Sequence, residues 1–447
     1  MFYLGRVRQF YMTYEEALQY IHSVSWMGSR PGLTRIAELC DKLGNPEKSL
    51  ICIHVAGTNG KGSVCSMLSS ILTEAGYNTG LYTSPFVERF NERIMRNNRD
   101  ISDDELAEVT EYVRAAAETM EDSPTEFELI TAIAFEYYKR KGCDYVVLET
   151  GLGGRLDSTN IIENPVLSII TGIDLDHTAL LGNTTAEIAA EKAGIIKPGR
   201  PILFGEGDAD AERVIRETAS RVGSEYYRTD FSKISDIKTD LNGTEFNFGD
   251  RHTKIKLCGI YQTRNTATVL TACDILKAHG VDIPEKAIDA GLIRARWKAR
   301  FEVLSNEPLI IYDGAHNPQG IAGAVENIRC YLSDKAPDGQ VVLLMGVMAD
   351  KAHEKMIGML SPLVSSVYCV TPSNSRSLPS VGVEREFEEF GVRAYAFDNL
   401  HDGVIAAAEA ARTEGRPLVC LGSLYMYADV LHAVNDYIAE QATSVKE

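Results

Sequence analysis

A lysine set among glycines, Gly57-Thr58-Asn59-Gly60-Lys61-Gly62-Ser63, is the first group in this chain whose residue types and spacing could do chemistry. Glycines let the backbone bend until successive N–H groups point at one anion. A helix N-terminus adds about half a positive charge, and a lysine supplies a mobile full one. The chemistry is phosphate binding. The common phosphate loop spells G-x-x-x-x-G-K-[ST]. Here Gly62 separates Lys61 from Ser63 and the interval from Gly57 is shorter, so the strict spelling fails while the physical ingredients remain. Ser84 and Glu149 offer hard oxygen ligands and His177 a nitrogen. That set would suit Mg2+ beside a phosphate loop, because the ion takes few protein ligands and completes its shell with phosphate oxygens and water. Lys192 reads as a solvated charge, as a partner for phosphate, or, once carbamylated, as an anionic ligand. Arg294, Arg296, Lys298 and Arg300 form a basic cluster able to clamp a nucleotide phosphate. Asp313 opens Asp313-Gly314-Ala315-His316-Asn317-Pro318, where an acid at a strand end can accept a ribose or catalytic hydrogen bond and Asn317 with Pro318 would start a helix.

These groups need elements to position them. Leu50–Ile53, apolar and partly β-branched, predicts a buried strand before the glycine loop, and Cys65–Leu72 a helix after it. Asn78–Thr83, Asp144–Glu149 and Val166–Thr171 predict further strands, with helices opening at Thr13, Leu33, Ser102 and Thr125. Such alternation predicts a mainly parallel sheet covered on both faces, and ligands on such sheets bind beyond the carboxyl ends of the strands. Gly57–Ser63, Thr83-Ser84, Glu149 and His177 all fall at such ends. Polar alternation over Asp230–Leu257 predicts an exposed hairpin or meander, and helical character returns from Asn265 to Ala278. From Pro308 a second alternation begins, with strands at 309–312, 341–345, 367–370, 392–395 and 418–421. The fold class expected is α/β, with a larger unit over residues 1–298 and a smaller one over 299–447.

Composition narrows the partners. The 447 residues are 45% hydrophobic and 24% charged, as in a globular protein of two or three domains. A formal charge of -18 argues against nucleic acid. Nine cysteines without a C-x-x-C pair suggest a reducing, cytoplasmic setting. Met1–Arg8 has no apolar core of a signal peptide, Met12 offers a second plausible start, and no run approaches the roughly 20 apolar residues that span a bilayer.

In their order, His54–Val64, Thr83-Ser84-Pro85 with Asn91–Ile94, Leu148–Asn160, Asp176-His177-Thr178, Glu191–Gly194 and Asp313–Pro318 resemble the folylpolyglutamate synthase/dihydrofolate synthase family of the Mur ligase superfamily. The likeness runs from about Tyr14 to Tyr425. It implies a P-loop-containing N-terminal ATPase domain and a smaller Rossmann-like C-terminal domain. It implies an ATP-dependent ligase that joins L-glutamate to reduced folates, and to dihydropteroate in bifunctional members, through an acyl phosphate. On this resemblance Thr58, Asn59, Gly60, Lys61, Gly62 and Ser63 would hold ATP phosphates, Lys61 and Lys192 would act in catalysis, and Lys192 would be the carbamylated lysine. Ser84, Glu149 and His177 would hold Mg2+. Asn265, Arg300 and Asp313 would contact the nucleotide, while Phe127, Glu128, Arg155, Leu156 and Asp157 would border the pterin-bearing substrate. A monomer without membrane or nucleic-acid partners is expected. Two departures stand out. Phe86 replaces the histidine common after Ser84-Pro85, and Lys298-Ala299-Arg300-Phe301 replaces Pro-Gly-Arg-Phe. Competing readings are a ligase for UDP-linked cell-wall precursors, against which the loops at Thr125–Glu128 and Gly153–Asn160 speak, and a nucleotide-binding regulatory module.

Overall fold

The computed structural model describes residues 12–24 and 32–444. The chain divides into two compact units, residues up to 229 together with Leu270–Gly291, and Asp230–Val269 together with residues from 292.

The first unit is built on strands β1 (Cys52–Ala56), β2 (Thr79–Tyr82), β3 (Ile94–Arg96), β4 (Arg99–Asp100), β5 (Tyr145–Glu149), β6 (Leu167–Gly172), β7 (Ile202–Glu206) and β8 (Tyr226–Arg228). They form one eight-stranded sheet in the order β4-β3-β2-β5-β1-β6-β7-β8. From β2 to β8 every pairing is parallel; β3 and β4 add an antiparallel edge. β1 is buried at every residue, which is why it reads as a continuous apolar run rather than an alternating one. Helices Asp103–Ala117 and Glu126–Arg140 contribute Leu106, Val113, Leu129, Ile133 and Tyr137 to one apolar cluster, which also takes in Tyr82, Val146 and Leu148. Ile188, Ala211 and Ile215 belong to another with Ala56, Ile170 and Phe204. Helix starts are fixed by capping boxes at Thr13, Ser102, Thr125 and Thr184, each reciprocated by the glutamate three residues on.

In the second unit β9 (Ile234–Asp240), β10 (Gly243–Phe248) and β11 (Arg251–Ile255) make the expected antiparallel meander. A six-stranded sheet is formed by β12 (Glu302–Asn306), β13 (Leu309–Tyr312), β14 (Val341–Met345), β15 (Val364–Cys369), β16 (Arg393–Ala396) and β17 (Leu418–Leu421), in the order β12-β13-β17-β14-β15-β16. Only β12 runs antiparallel. The architecture is the α/β one expected, with mainly parallel sheets.

Several boundaries differ from the sequence reading. The first strand starts at Cys52, because Leu50 still closes the 3-10 turn Pro46–Ser49, and it runs on to Ala56, so His54 is a strand residue. The following helix begins at Lys61 rather than Cys65, and the helix expected from Asn265 begins at Tyr261. The sequence reading gives no strand at β3, β4, β7, β8 or β12. The loop expected at Trp26–Gly32 lies, save Gly32, outside the described residues, as do Met1–Arg8.

Candidate active site

The glycine loop leaves the carboxyl end of β1. At Gly57, φ is 156° and an added Cβ would lie 2.0 Å from Thr171 Oγ1, so only glycine lets the loop pass this close to β6. Gly60 (φ 83°) takes the left-handed turn that starts helix Lys61–Glu74. A glycine N-cap brings no side-chain acceptor to the first-turn N–H groups, which suits an incoming anion. The end of β6 and the residues after it pin the loop. The Thr58 N–H donates to the Gly172 carbonyl (2.7 Å), Thr58 Oγ1 to the Asp174 carbonyl (3.1 Å), and Thr171 Oγ1 to the Asn59 carbonyl (2.7 Å).

Two lysines converge on this loop. Lys61 Nζ folds back to donate to the carbonyls of Gly57 (3.0 Å) and Thr58 (3.3 Å), and Lys192 Nζ donates to the same Gly57 carbonyl (2.9 Å). Lys192 is 3% exposed. Burial, reinforced by the Lys61 charge and opposed by Asp176 and Asp157, pulls its ammonium down to about 7. A lysine in that range offers a neutral amine near neutral pH. The reading of Lys192 as a solvated charge is therefore excluded by its burial.

Parallel pairing of β2, β5, β1 and β6 brings Ser84, Glu149, the glycine loop and Thr171 to one sheet edge. The Ser84 N–H donates to Glu149 Oε2 (3.1 Å), joining the two candidate hard ligands. A buried carboxylate beside a serine fits Mg2+, which needs only one or two protein oxygens next to phosphate. His177 follows five residues after β6, in left-handed backbone (φ 49°), with its side chain 44% exposed and 4.0 Å from Asp176. Among the described residues no group of three or more His, Cys, Asp or Glu side chains is gathered as a metal site.

The residues expected near the second substrate lie at the start of helix Glu126–Arg140 and on the loop after β5. The Phe127 ring packs on Gly151, where an added Cβ would come within 2.5 Å of Cζ, and lies 6.1 Å from the Tyr82 ring. Glu128 is buried, and its carboxylate accepts the Thr125 N–H (2.7 Å) and Arg35 Nε (3.0 Å), with a further ion-pair contact to Arg35 at 3.0 Å. Arg155, 55% exposed, pairs with Glu191 (2.9 Å). Leu156 is half-buried. Asp157 is buried and accepts the N–H groups of Gly151 and Leu152 (2.9 Å each) and Thr159 (3.1 Å), together with the Thr159 hydroxyl (2.5 Å). Burial raises its pKa, and these donors work against that rise. In this structure Glu128 and Asp157 organise the protein's own helix start and loop.

In the second unit Asn265 Nδ2 donates to Gln262 Oε1 (2.9 Å) and Arg300 donates to the Ala299 carbonyl (2.9 Å). Arg296 donates to the carbonyls of Ile293 and Ala295 (2.8 Å each). Asp313 is buried and accepts from Tyr261 Oη (3.0 Å), Phe301 N (3.1 Å) and Ala315 N (2.9 Å). Burial raises its pKa against the opposing Arg300 charge. Ala299 stands in left-handed backbone (φ 56°), where the resemblance led one to expect glycine. Sequence reasoning missed Thr171, Arg35 and Thr159. A threonine closing a strand beside a glycine loop was the one signal for Thr171; Arg35 and Thr159 act through contacts distant in sequence.

Comparison with known proteins places this geometry. The Mur ligase middle domain family matches residues 55–273, and the family described as Mur ligase, glutamate ligase domain matches residues 299–424. The folylpolyglutamate synthase of Lacticaseibacillus casei is 37% identical over 440 residues, covering 94% of this chain and 98% of that protein. The dihydrofolate synthase/folylpolyglutamate synthase of Bacillus subtilis is 34% identical over 438 residues, covering 94% and 99%. Among solved structures, an FPGS–AMPPCP–folate complex has a TM-score of 0.82 at 34% identity, covering 96% of this chain and all (100%) of that one. Escherichia coli FolC in complex with DHPP and ADP has a TM-score of 0.81 at 28% identity, covering 95% and 98%.

Proposed function

Because this chain belongs to the folylpolyglutamate synthase/dihydrofolate synthase family of Mur ligases, we propose that the residues described above divide the work of glutamate ligation among themselves. The chain is an ATP-dependent ligase that adds L-glutamate to folates. The observation that carries the assignment of roles is the single sheet edge at which the lysine-bearing glycine loop, Ser84 and Glu149 meet.

The reaction must join two anions. A folate carboxylate oxygen attacks the γ-phosphorus of ATP, ADP leaves, and an acyl phosphate forms. The glutamate amine then attacks the acyl carbon, inorganic phosphate leaves, and the amine gives up its proton. The loop from Thr58 to Ser63 and the helix N-terminus take the phosphates, through N–H groups beyond that of Thr58, which is bound to Gly172, and Lys61 turns from the Gly57 and Thr58 carbonyls to the transferring phosphoryl group. Ser84 and Glu149, with His177, would hold Mg2+, which supplies charge neutralisation when bound. Lys192, neutral in part near pH 7, has the free amine that addition of CO2 requires, and a carbamate there would place negative charge beside the loop. Phe127, Glu128, Arg155, Leu156 and Asp157 border the folate. Asn265 of the ATP-binding domain, and Arg300 and Asp313 of the C-terminal ligase domain, serve the nucleotide. We set the C-terminal ligase domain at residues 299–447, supported by the family match that starts at 299, and the ATP-binding domain at 1–298.

No helix among the described residues is long and apolar enough to cross a membrane, and all nine cysteines are free thiols. Both features support a cytoplasmic enzyme, which we read as a monomer. ADP release with Mg-ATP and L-glutamate tests the function, with tetrahydrofolate and dihydropteroate offered separately. Turnover with tetrahydrofolate is expected. Turnover with dihydropteroate as well would make the enzyme bifunctional, as the name of the B. subtilis relative describes that protein. ATP binding without glutamate-dependent ADP release would refute the ligase roles.

A further inference from the structure

His54 opens the glycine-loop motif, yet nothing in the ligation chemistry uses it. It lies in β1, fully buried, with Leu148 of β5 and Ser168 of β6 as its cross-strand partners. Its Nε2 is 2.8 Å from Thr159 Oγ1, and Thr159 Oγ1 is 2.5 Å from Asp157 Oδ1. The other carboxylate oxygen, Oδ2, accepts the N–H groups of Gly151 and Leu152. A chain of buried hydrogen bonds therefore runs from the strand under the phosphate loop to the loop that follows Glu149.

The direction of each bond follows from proton counting. A carboxylate already facing three backbone N–H groups accepts the Thr159 hydroxyl proton as well. The Thr159 oxygen has only that one proton, so toward His54 it accepts, and the imidazole carries its hydrogen on Nε2. Nδ1 is then a bare nitrogen, and it is buried without a hydrogen-bond partner. Burial, and the nearby Lys197 charge, keep the ring neutral by pulling it down to about 3. A neutral, single-tautomer histidine makes a fixed donor. At the far end of the chain, the Phe127 ring lies against Gly151, so the backbone held by Asp157 is also the surface on which Phe127 rests.

We propose that His54 is a positioning residue for the folate side of the active site: through Thr159 and Asp157 it holds the Gly151–Leu156 loop, and the Phe127 ring packed on it, in place for the pterin-bearing substrate. The inference rests on the ligase reading above. The phosphate loop on the same strand has its own ties at Thr171, Thr58 and Gly172, so a change at His54 should separate the two substrates.

The test compares wild type, His54→Leu and His54→Gln under steady-state conditions, with tetrahydrofolate and ATP varied in turn. His54→Leu should raise the KM for tetrahydrofolate on the order of tenfold, the weight of one buried hydrogen bond, while the KM for ATP stays within about twofold. The glutamine amide can donate to Thr159 and should restore most of the loss. Ring nitrogen NMR on the wild-type protein should find His54 protonated at Nε2 and bare at Nδ1. An unchanged folate KM in His54→Leu, equal rises for both substrates, or a proton on Nδ1 would each overturn the proposal. Should His54→Leu fail to fold, the tautomer together with His54→Gln decides: a bare Nδ1 and a near-wild-type folate KM support it, and anything else overturns it. A wild-type chain silent with folate would instead bring down the ligase reading, and this one with it.

Discussion

Replacing Thr171 by valine keeps nearly the same shape and removes one hydroxyl. In the wild type that hydroxyl donates its one proton to the Asn59 carbonyl at 2.7 Å, while the Ala56 carbonyl lies 3.4 Å away, so the substitution costs one good hydrogen bond. A net hydrogen bond is worth about 1 kcal/mol, and leaving a partly buried acceptor unsatisfied adds to that, giving about 1–2 kcal/mol. Asn59 sits inside the turn proposed to bind phosphate, and phosphoryl transfer depends on positioning. The loss should therefore appear in the transition state rather than in the fold. We expect kcat/KM for ATP to fall roughly 5- to 30-fold. The folate KM should hardly move, because the loop that carries Gly151 is tied elsewhere. Thr171→Ser keeps the donor and should stay within about threefold of wild type. The assay is coupled ADP release at varied ATP. A valine variant with unchanged kcat/KM, or serine and valine variants that lose equally, would refute the argument that this hydroxyl sets the loop.

Lys61→Ala and Glu149→Ala should each nearly abolish glutamate-dependent ADP release, and near-normal turnover in either would remove that residue from its assigned role. Arg35→Met leaves the Glu128 carboxylate, 3% exposed, without its guanidinium, and urea unfolding should report a loss of about 3 kcal/mol, of which Arg35→Met combined with Glu128→Gln recovers a part. Lys192 is held at about 7 against its ordinary 10.5, so between those values the unfolded chain binds more protons and stability rises with pH. Below pH 7 the full penalty of the buried charge persists. The stability of wild type relative to Lys192→Met should accordingly improve from pH 7 toward pH 10 in CO2-free buffer, and a flat difference by denaturant unfolding would contradict the burial argument.

Much of the parallel sheet was legible because its strands are short apolar runs closed by chemically distinctive residues. Glu149 after Tyr145–Leu148 and Ser84 after Thr79–Tyr82 could be placed at one edge from strand alternation alone. β7 and β8 were missed because Ile202–Glu206 is half glycine and acid at its end, and Tyr226–Arg228 is only three residues long. The predicted strand stops at Ile53 because the glycines after His54 dominate the motif, whereas burial on both faces keeps the chain extended to Ala56. The buried partners Arg35–Glu128 and His54–Thr159 lie 93 and 105 residues apart, and no local pattern links such pairs. Ala299 is the opposite case. The missing glycine was visible in the sequence, and the backbone keeps the left-handed turn without it (φ 56°).

The Gly57 carbonyl, shared by Lys61 and Lys192, makes the two lysines epistatic in one state and independent in another. With no nucleotide present, either ammonium alone keeps that oxygen satisfied, so losing one is masked by the other. On the proposed role of Lys61, its move to a phosphate leaves Lys192 as the remaining donor to the turn. A double-mutant cycle on the two lysines should therefore return a marked coupling from unfolding of the nucleotide-free chain and little from unfolding of the nucleotide-bound one. On the proposed roles the carbonyl is a hand-over point, releasing one cation toward the phosphates while the other keeps the loop closed behind it.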